Sequence, residues 1–232
     1  MISVIIPTYN EAAAISSTIE RLQYYNKGQA IQEIIVADGG STDNTIERAT
    51  AAGAVAVCSP QKGRAAQMNY GASLATAPIL YFLHADTLPP ASVVDDILLA
   101  KKQGYASGCF MLSFDYDHWF LKANCWFTRF DVNHFRFGDQ SLFVQRAVFL
   151  KAGGFDEGHV VLEDQEIIRR LKRYGRFTVI KKPVITSARK YLENGIYKTQ
   201  GIFFLIYLMY KAGYSQEQLV RTYRKLIRQD KL

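Results

Sequence analysis

Four short apolar runs, each ended by a polar or glycine-bearing cluster and each followed by residues at helical spacing, constrain this chain most. Residues 3–6, 33–37, 54–58 and 79–83 read as strands. Between them, Ile15, Ile19 and Leu22 mark one face of a helix, and residues 44–52 a second. A loop at Lys62 and Gly63 leads into a third helix ending near Thr76, and a helical pattern resumes near Ala91. Strands and helices that alternate through short connections predict an α/β fold, a mostly parallel sheet flanked by helices. A hydrophobic content of 49% over 232 residues can fill such a core, and no repeat or low-complexity linker divides it.

After residue 104 the pattern loosens. Residues 105–114 read as a strand, 116–130 as an aromatic-rich helix or helical loop, and 141–144 as a short strand. Residues 163–174 form a clear helix with Ile167, Ile168 and Leu171 inward and Arg169, Arg170, Lys172 and Arg173 outward. Two segments are expected: a sheet domain over residues 1–190 and a helical, apolar and basic extension over 191–232.

In a parallel sheet the carboxyl ends of the strands share one edge, where open α/β sheets bind their ligands. That edge collects PTYNE (residues 7–11), ADGGSTDNT (37–45) and HAD (84–86), so Tyr9, Asn10, Glu11, Asp38, Asp43 and Asp86 can line one crevice. Each piece also has a plain structural reading. Asn10 and Glu11 can begin a helix, Ser41, Thr42 and Asp43 can cap one, Gly39 and Gly40 can make a turn, and Asp86 can cap the helix after Pro89 and Pro90. As a hard oxygen donor at a strand end, Asp86 instead suits Mg²⁺ or Mn²⁺ shared with a diphosphate.

These motifs, with GGFDE and LEDQEIIRRL later in the chain, resemble a family 2 glycosyltransferase of the GT-A fold over about residues 3–182. The resemblance implies a nucleotide-sugar donor (UDP- or GDP-linked), a divalent metal, Mn²⁺ or Mg²⁺, and inversion at the anomeric carbon. It places Pro7, Tyr9 and Glu11 around the base, and Asp38 as acceptor of a uracil-type ring N–H. Asp86 matches the metal-binding last carboxylate of the family's D-x-D, whose first carboxylate is His84 here. Imidazole can hydrogen-bond a ribose hydroxyl but adds no second negative charge. A His in this motif resembles a subgroup associated with arsenosugar biosynthesis.

KGRAAQMNYGA (residues 62–72) puts Arg64 at a helix start, where it reinforces the attraction of the amide ends for anions. Gln67 and Asn69 can meet sugar or ribose hydroxyls, and Gly71 and Ala72 allow close helix packing. The alternative is a plain surface helix start; a P-loop pattern is absent. Glu163 and Asp164 open a helix, which the dipole alone can explain. By resemblance they are the family's Glu-Asp pair, with Asp164 the base that inverting transfer needs and Glu163 a supporting carboxylate. Gly153 and Gly154 would let backbone approach the transferred sugar. Asp139 and Gln140 are candidates for the acceptor side, a turn being the alternative.

The net charge of +7 attracts an acidic partner such as nucleotide, nucleic acid or anionic lipid. Nucleic acid is disfavoured: Trp119, Phe120, Trp126, Phe127, Phe130 and Phe135 lack the interleaved Lys and Arg of a stacking platform and read as core or an acceptor-cleft wall. Cys58, Cys109 and Cys125 fit no metal or disulfide framework and point to a reducing compartment. Met1 leads into a strand and the longest apolar run is too short to span a bilayer. A cytoplasmic protein is expected, with an acceptor that is small or lipid-linked. The extension, with Arg221, Arg224, Lys225, Arg228 and Lys231, either packs as a helix pair or meets the inner membrane face. Two other functions are weighed: a sugar-1-phosphate nucleotidyltransferase, which would need a basic glycine-rich loop after the first strand, and a nucleotide-binding module without catalysis, suggested by His84.

Overall fold

The structure is a computed structural model and describes residues 1–132 and 140–228. In chain order the elements are β1 (Ile2–Thr8), α1 (Ile15–Tyr25), β2 (Ile31–Asp38), α2 (Thr45–Ala51), β3 (Val55–Cys58), α3 (Arg64–Leu74), β4 (Ile79–Phe82), β5 (Thr87–Leu88) and α4 (Val93–Lys102). Then come β6 (Ser107–Phe114), α5 (Trp119–Phe127), β7 (Leu142–Gln145), α6 (Arg146–Lys151), α7 (Glu163–Leu171), β8 (Phe177–Thr186), α8 (Arg189–Asn194), α9 (Ile196–Lys211) and α10 (Gln216–Leu226).

Among the described residues, eight strands form one sheet in the order β3-β2-β1-β4-β7-β6-β8-β5. The first four are parallel, as the alternation predicts. Beyond them the sheet is mixed: β7 runs antiparallel to both its neighbours, β6 and β8 are parallel, and β5 is antiparallel to β8. The inner parallel strands β1, β2 and β4 are largely buried, which is why they read as apolar runs, whereas the edge strand β3 is half-exposed. Along β1, Ile2, Val4 and Ile6 join the core under α1 and α4, while Ile5 joins the core under α3, α6 and α7. Strand β4 repeats the division with Ile79 and Tyr81 on one side and Leu80 and Phe82 on the other.

Residues 83–86 alone separate β4 from β5, yet three strands lie between them in the sheet. Such a link reaches at most about 18 Å, while four strand spacings on a flat sheet need about 19 Å. A turn, Thr87 N–H to the His84 carbonyl, shortens the reach further. The far half of the sheet therefore curls back over the end of β4, and residues 84–86 sit where it closes.

Gly71 on α3 has the packing role expected of it: a Cβ there would come 2.6 Å from Ile5 Cγ2. Gly71→Ala is expected to lower stability by about 1–3 kcal/mol through overpacking, measured as the midpoint of denaturant unfolding. An unchanged midpoint would show that Ile5 turns aside without cost.

Of the two readings of the aromatic segment, core does not hold. Only Leu121 and Cys125 of α5 are buried; Trp119, Trp126 and Phe127 face outward, as does Phe130 beyond it, so this is not core. Phe135 lies outside the described residues. In the extension, α9 packs on α10 around Ile202, Ile206, Leu219 and Tyr223. Ser215 and Gln218 close a capping box at the start of α10. All three cysteines are free thiols.

Candidate active site

Because β2, β1 and β4 are adjacent and parallel, Thr8, Asp38 and Leu83 all emerge at one edge. The chain leaving β3 at that edge re-enters as α3, which puts Lys62, Gly63 and Arg64 there too. Gln67 fixes the spacing of the two central strand ends: its buried Nε2 donates to the carbonyls of Thr8 (2.7 Å) and Ala37 (2.8 Å). Pro7 is buried within β1, whereas Tyr9 and Glu11 stand half-buried just past its end.

The loops after β1 and β2 lock into each other. The Asn10 amide donates to Ser41 Oγ and the Glu11 amide to Thr45 Oγ1, while Asn10 Oδ1 accepts from the Thr42 amide. Asn10 holds this geometry at a positive φ of 54°, a region Asn tolerates better than most residues. Asp43 accepts from the amides of Ala12 and Thr45 and from Thr45 Oγ1. Burial raises its carboxyl pKa, but the bonds from Thr45 and Ala12 outweigh this and leave it below the ordinary range.

Asp38 is placed differently from the role expected of it. It is fully buried, and its carboxylate accepts four hydrogen bonds from its own chain. Thr8 Oγ1 (2.9 Å) and Ser41 Oγ (2.5 Å) reach Oδ2, and the amides of Gly40 (2.8 Å) and Ser41 (2.7 Å) reach Oδ1. Two oxygens bearing about four acceptor positions are thereby used. Asp38 organises the loop, its carboxylate engaged by these four donors. What faces outward near it is Lys62, whose Nζ lies 6.0 Å from the Tyr9 ring centroid and whose Cε lies 3.5 Å from a Cβ built on Gly40. In the sequence Lys62 is only a loop residue; the fold reveals its neighbours.

Asp86 is no helix cap. The next helix, α4, starts at Val93 with Ser92 in the N-cap position, and Asp86 instead leads into β5. The strand end before it is pinned, because buried Thr18 Oγ1 on α1 donates to the Ala85 carbonyl at 2.7 Å. His84 and Asp86 are both half-buried. Among the described residues no group of three or more His, Cys, Asp or Glu side chains can hold a metal by itself. A single hard carboxylate fits Mg²⁺ or Mn²⁺ only if ligand phosphates and water complete the shell.

Glu163 and Asp164 open α7 immediately after Leu162, which is in the left-handed region at φ 62°. The turn before it is held by the extension: Gln216 Oε1 accepts from the amides of Val160 and Val161, and its Nε2 donates to the Val161 carbonyl. Glu163 is buried and pairs with Arg64 Nη1 at 3.1 Å, while Asp164 is half-exposed. Arg64 thus links the starts of α3 and α7, and part of its charge is committed to Glu163 rather than to a ligand.

The amide nitrogens of Gln67 and Asn69, expected to meet sugar hydroxyls, are both engaged within the fold. Asn69 Nδ2 donates to the Phe155 carbonyl (2.9 Å) and to Glu157 (2.8 Å), and its Oδ1 accepts from the Phe155 amide (2.8 Å). Gly153 and Gly154 form a turn at φ 81° and 68°, and a Cβ on Gly154 would lie 2.7 Å from Asn69 Oδ1. Gln140 is buried, its Nε2 donating to the carbonyls of Phe110 and Thr128, so its amide nitrogen is turned into the fold. Asp139 lies outside the described residues.

The match to the profile of glycosyl transferase family 2 covers residues 3–150. A glucosyl-3-phosphoglycerate synthase of Mycolicibacterium smegmatis is 33% identical over 97 residues, 38% of this chain and 32% of that protein. The chain spans about a third of the length of the curated relatives it matches. Among solved structures, the mannosyltransferase PcManGT from Pyrobaculum calidifontis, in complex with GDP-Man and Mn²⁺, superposes with a TM-score of 0.70 at 17% identity, over 97% of this chain and 67% of that one. Glucosyl-3-phosphoglycerate synthase from Mycobacterium tuberculosis, with Mg²⁺ and UDP, gives 0.59 at 22% identity, over 80% and 70%. The fold is thus the GT-A fold, and the chain belongs to glycosyl transferase family 2.

Proposed function

We propose that this chain is an inverting, metal-assisted glycosyltransferase that moves a sugar from a UDP- or GDP-linked donor to an acceptor hydroxyl. The observation that carries the reading is the 3.1 Å ion pair between Arg64 and Glu163. It couples the helix that begins at the nucleotide edge to the helix whose first turn bears Asp164. Donor and base are thereby built on one frame, as a direct displacement requires.

In this reading Tyr9, Glu11 and Lys62 receive the nucleoside and His84 a ribose hydroxyl. Mn²⁺ or Mg²⁺, when bound at Asp86, neutralises charge on the diphosphate. Asp164 accepts the proton of the acceptor hydroxyl while that oxygen forms a bond to the anomeric carbon. The bond from that carbon to the diphosphate breaks, and its electron pair leaves with the diphosphate oxygen. Attack from the face opposite the leaving group inverts the configuration. Solved relatives bound to GDP-Man with Mn²⁺ and to UDP with Mg²⁺ support both nucleotide classes. The acceptor is a small-molecule or lipid-linked hydroxyl.

Calorimetric titration of UDP and GDP, with Mn²⁺ and again with a chelator, tests the donor half. Affinity is expected to fall at least about tenfold on chelation, the loss of roughly one charge-assisted contact. Equal affinity in the two conditions would remove the metal from the site. A panel of nucleotide-sugars followed for metal-dependent hydrolysis then identifies the donor.

A further inference from the structure

Helix α9 is apolar on two opposite sides. Its inner side buries Thr199, Ile202 and Ile206, the two isoleucines against Leu219, Tyr223 and Ile227 from α10 and the residue after it. Its outer side carries Tyr197, Phe204, Leu205 and Leu208, exposed to 58, 59, 42 and 47%. Their spacing, with Gly201 between, places them on one helical stripe about 17 Å long. Single exposed apolar residues need no explanation, but a contiguous stripe does. The stripe continues onto the start of α5. The Tyr197 ring lies 4.9 Å from Phe120 and 5.8 Å from His118, and His118 lies 6.2 Å from Trp119, which is 67% exposed.

The charges around the stripe select its partner. No acidic residue occurs in α9, and exposed Lys198 and Lys211 stand near its two ends. A second copy of the chain would bring the same lysines, and a net charge of +7, against themselves. An anionic lipid surface complements them instead. Trp119 and Tyr197, with their polar ring edges, are the aromatic types that favour the boundary between headgroups and acyl chains. With 16 residues, α9 is too short to cross, and among the described residues no helix is long and apolar enough to do so.

We propose that the outer face of α9, continued by Trp119, docks in the plane of an anionic bilayer surface. Phe204, Leu205 and Leu208 enter the acyl boundary, and Lys198 and Lys211 rest at headgroup level. This inference is independent of the glycosyl-transfer chemistry.

The test is sedimentation of the full chain with vesicles of phosphatidylcholine alone and of phosphatidylcholine mixed with phosphatidylglycerol. Binding is expected on the anionic vesicles and should weaken as salt rises. The double variant Phe204→Ser, Leu208→Ser alters only exposed positions, so its melting curve should match the parent while its partitioning falls at least about tenfold. Failure of the folded parent to bind, or equal binding by the double variant, would overturn the proposal. So would a concentration-dependent dimer in sedimentation equilibrium that the double variant abolishes, which would assign the stripe to a second copy.

Discussion

Asp164→Asn is expected to lower transfer by about 10²–10⁴-fold, the usual contribution of a positioned base, while donor affinity stays near that of the parent. The amide keeps the size of the side chain and its place in the first turn of α7 but cannot take a proton at neutral pH. Were Asp164 only a charge favoured by the helix start, the change would cost about 0.3–1 kcal/mol of stability and little activity. Turnover, nucleotide affinity and melting temperature measured on one preparation separate the two. Other side chains hold the frame around Asp164: Gln216 holds the turn before α7, and Arg64 holds the neighbouring Glu163. A loss of turnover at an unchanged melting temperature would report chemistry rather than a displaced helix. Near-normal turnover would give the base role to another carboxylate, Glu163 or Asp139.

The inner strands of the parallel half, β1, β2 and β4, were legible because they are buried on both faces and so appear as apolar runs. The candidate edge was legible for the same reason, since a buried strand followed by polar residues identifies its own carboxyl end. Strand β8 was not: FTVI is half-buried, two exposed lysines follow, and only PVIT alternates between exposed and buried positions, so no sharp apolar block stands out. Strand β5 has two residues and exists only because β8 lies next to it. The partners of polar side chains were hidden more deeply. Asn69 meets residues 86 and 88 positions away, and Gln67 meets a carbonyl 59 positions away. Both look like ligand-facing amides until the fold supplies their partners. The packing reason for Gly39 was hidden with them: a Cβ there would stand 3.0 Å from Gln67 Cδ.

Asp38→Ala is expected to destabilise the protein by about 2–4 kcal/mol, because four buried donors lose a shared charged acceptor. For a chain of this size that corresponds to a fall in melting temperature of about 5–15 °C. The loss follows from the geometry: Thr8 and Ser41 hydroxyls and the Gly40 and Ser41 amides all converge on one buried carboxylate. Asp38→Asn should cost less. Its remaining oxygen can still accept from the two amides, and the hydroxyls can turn to accept from the new amide nitrogen. If Asp38 instead contacts a nucleotide base directly, the ordering changes. The alanine variant would then melt with the parent and lose affinity for one nucleotide selectively. Thermal unfolding of both variants, paired with UDP and GDP titrations below their melting range, decides between a loop organiser and a base-reading carboxylate.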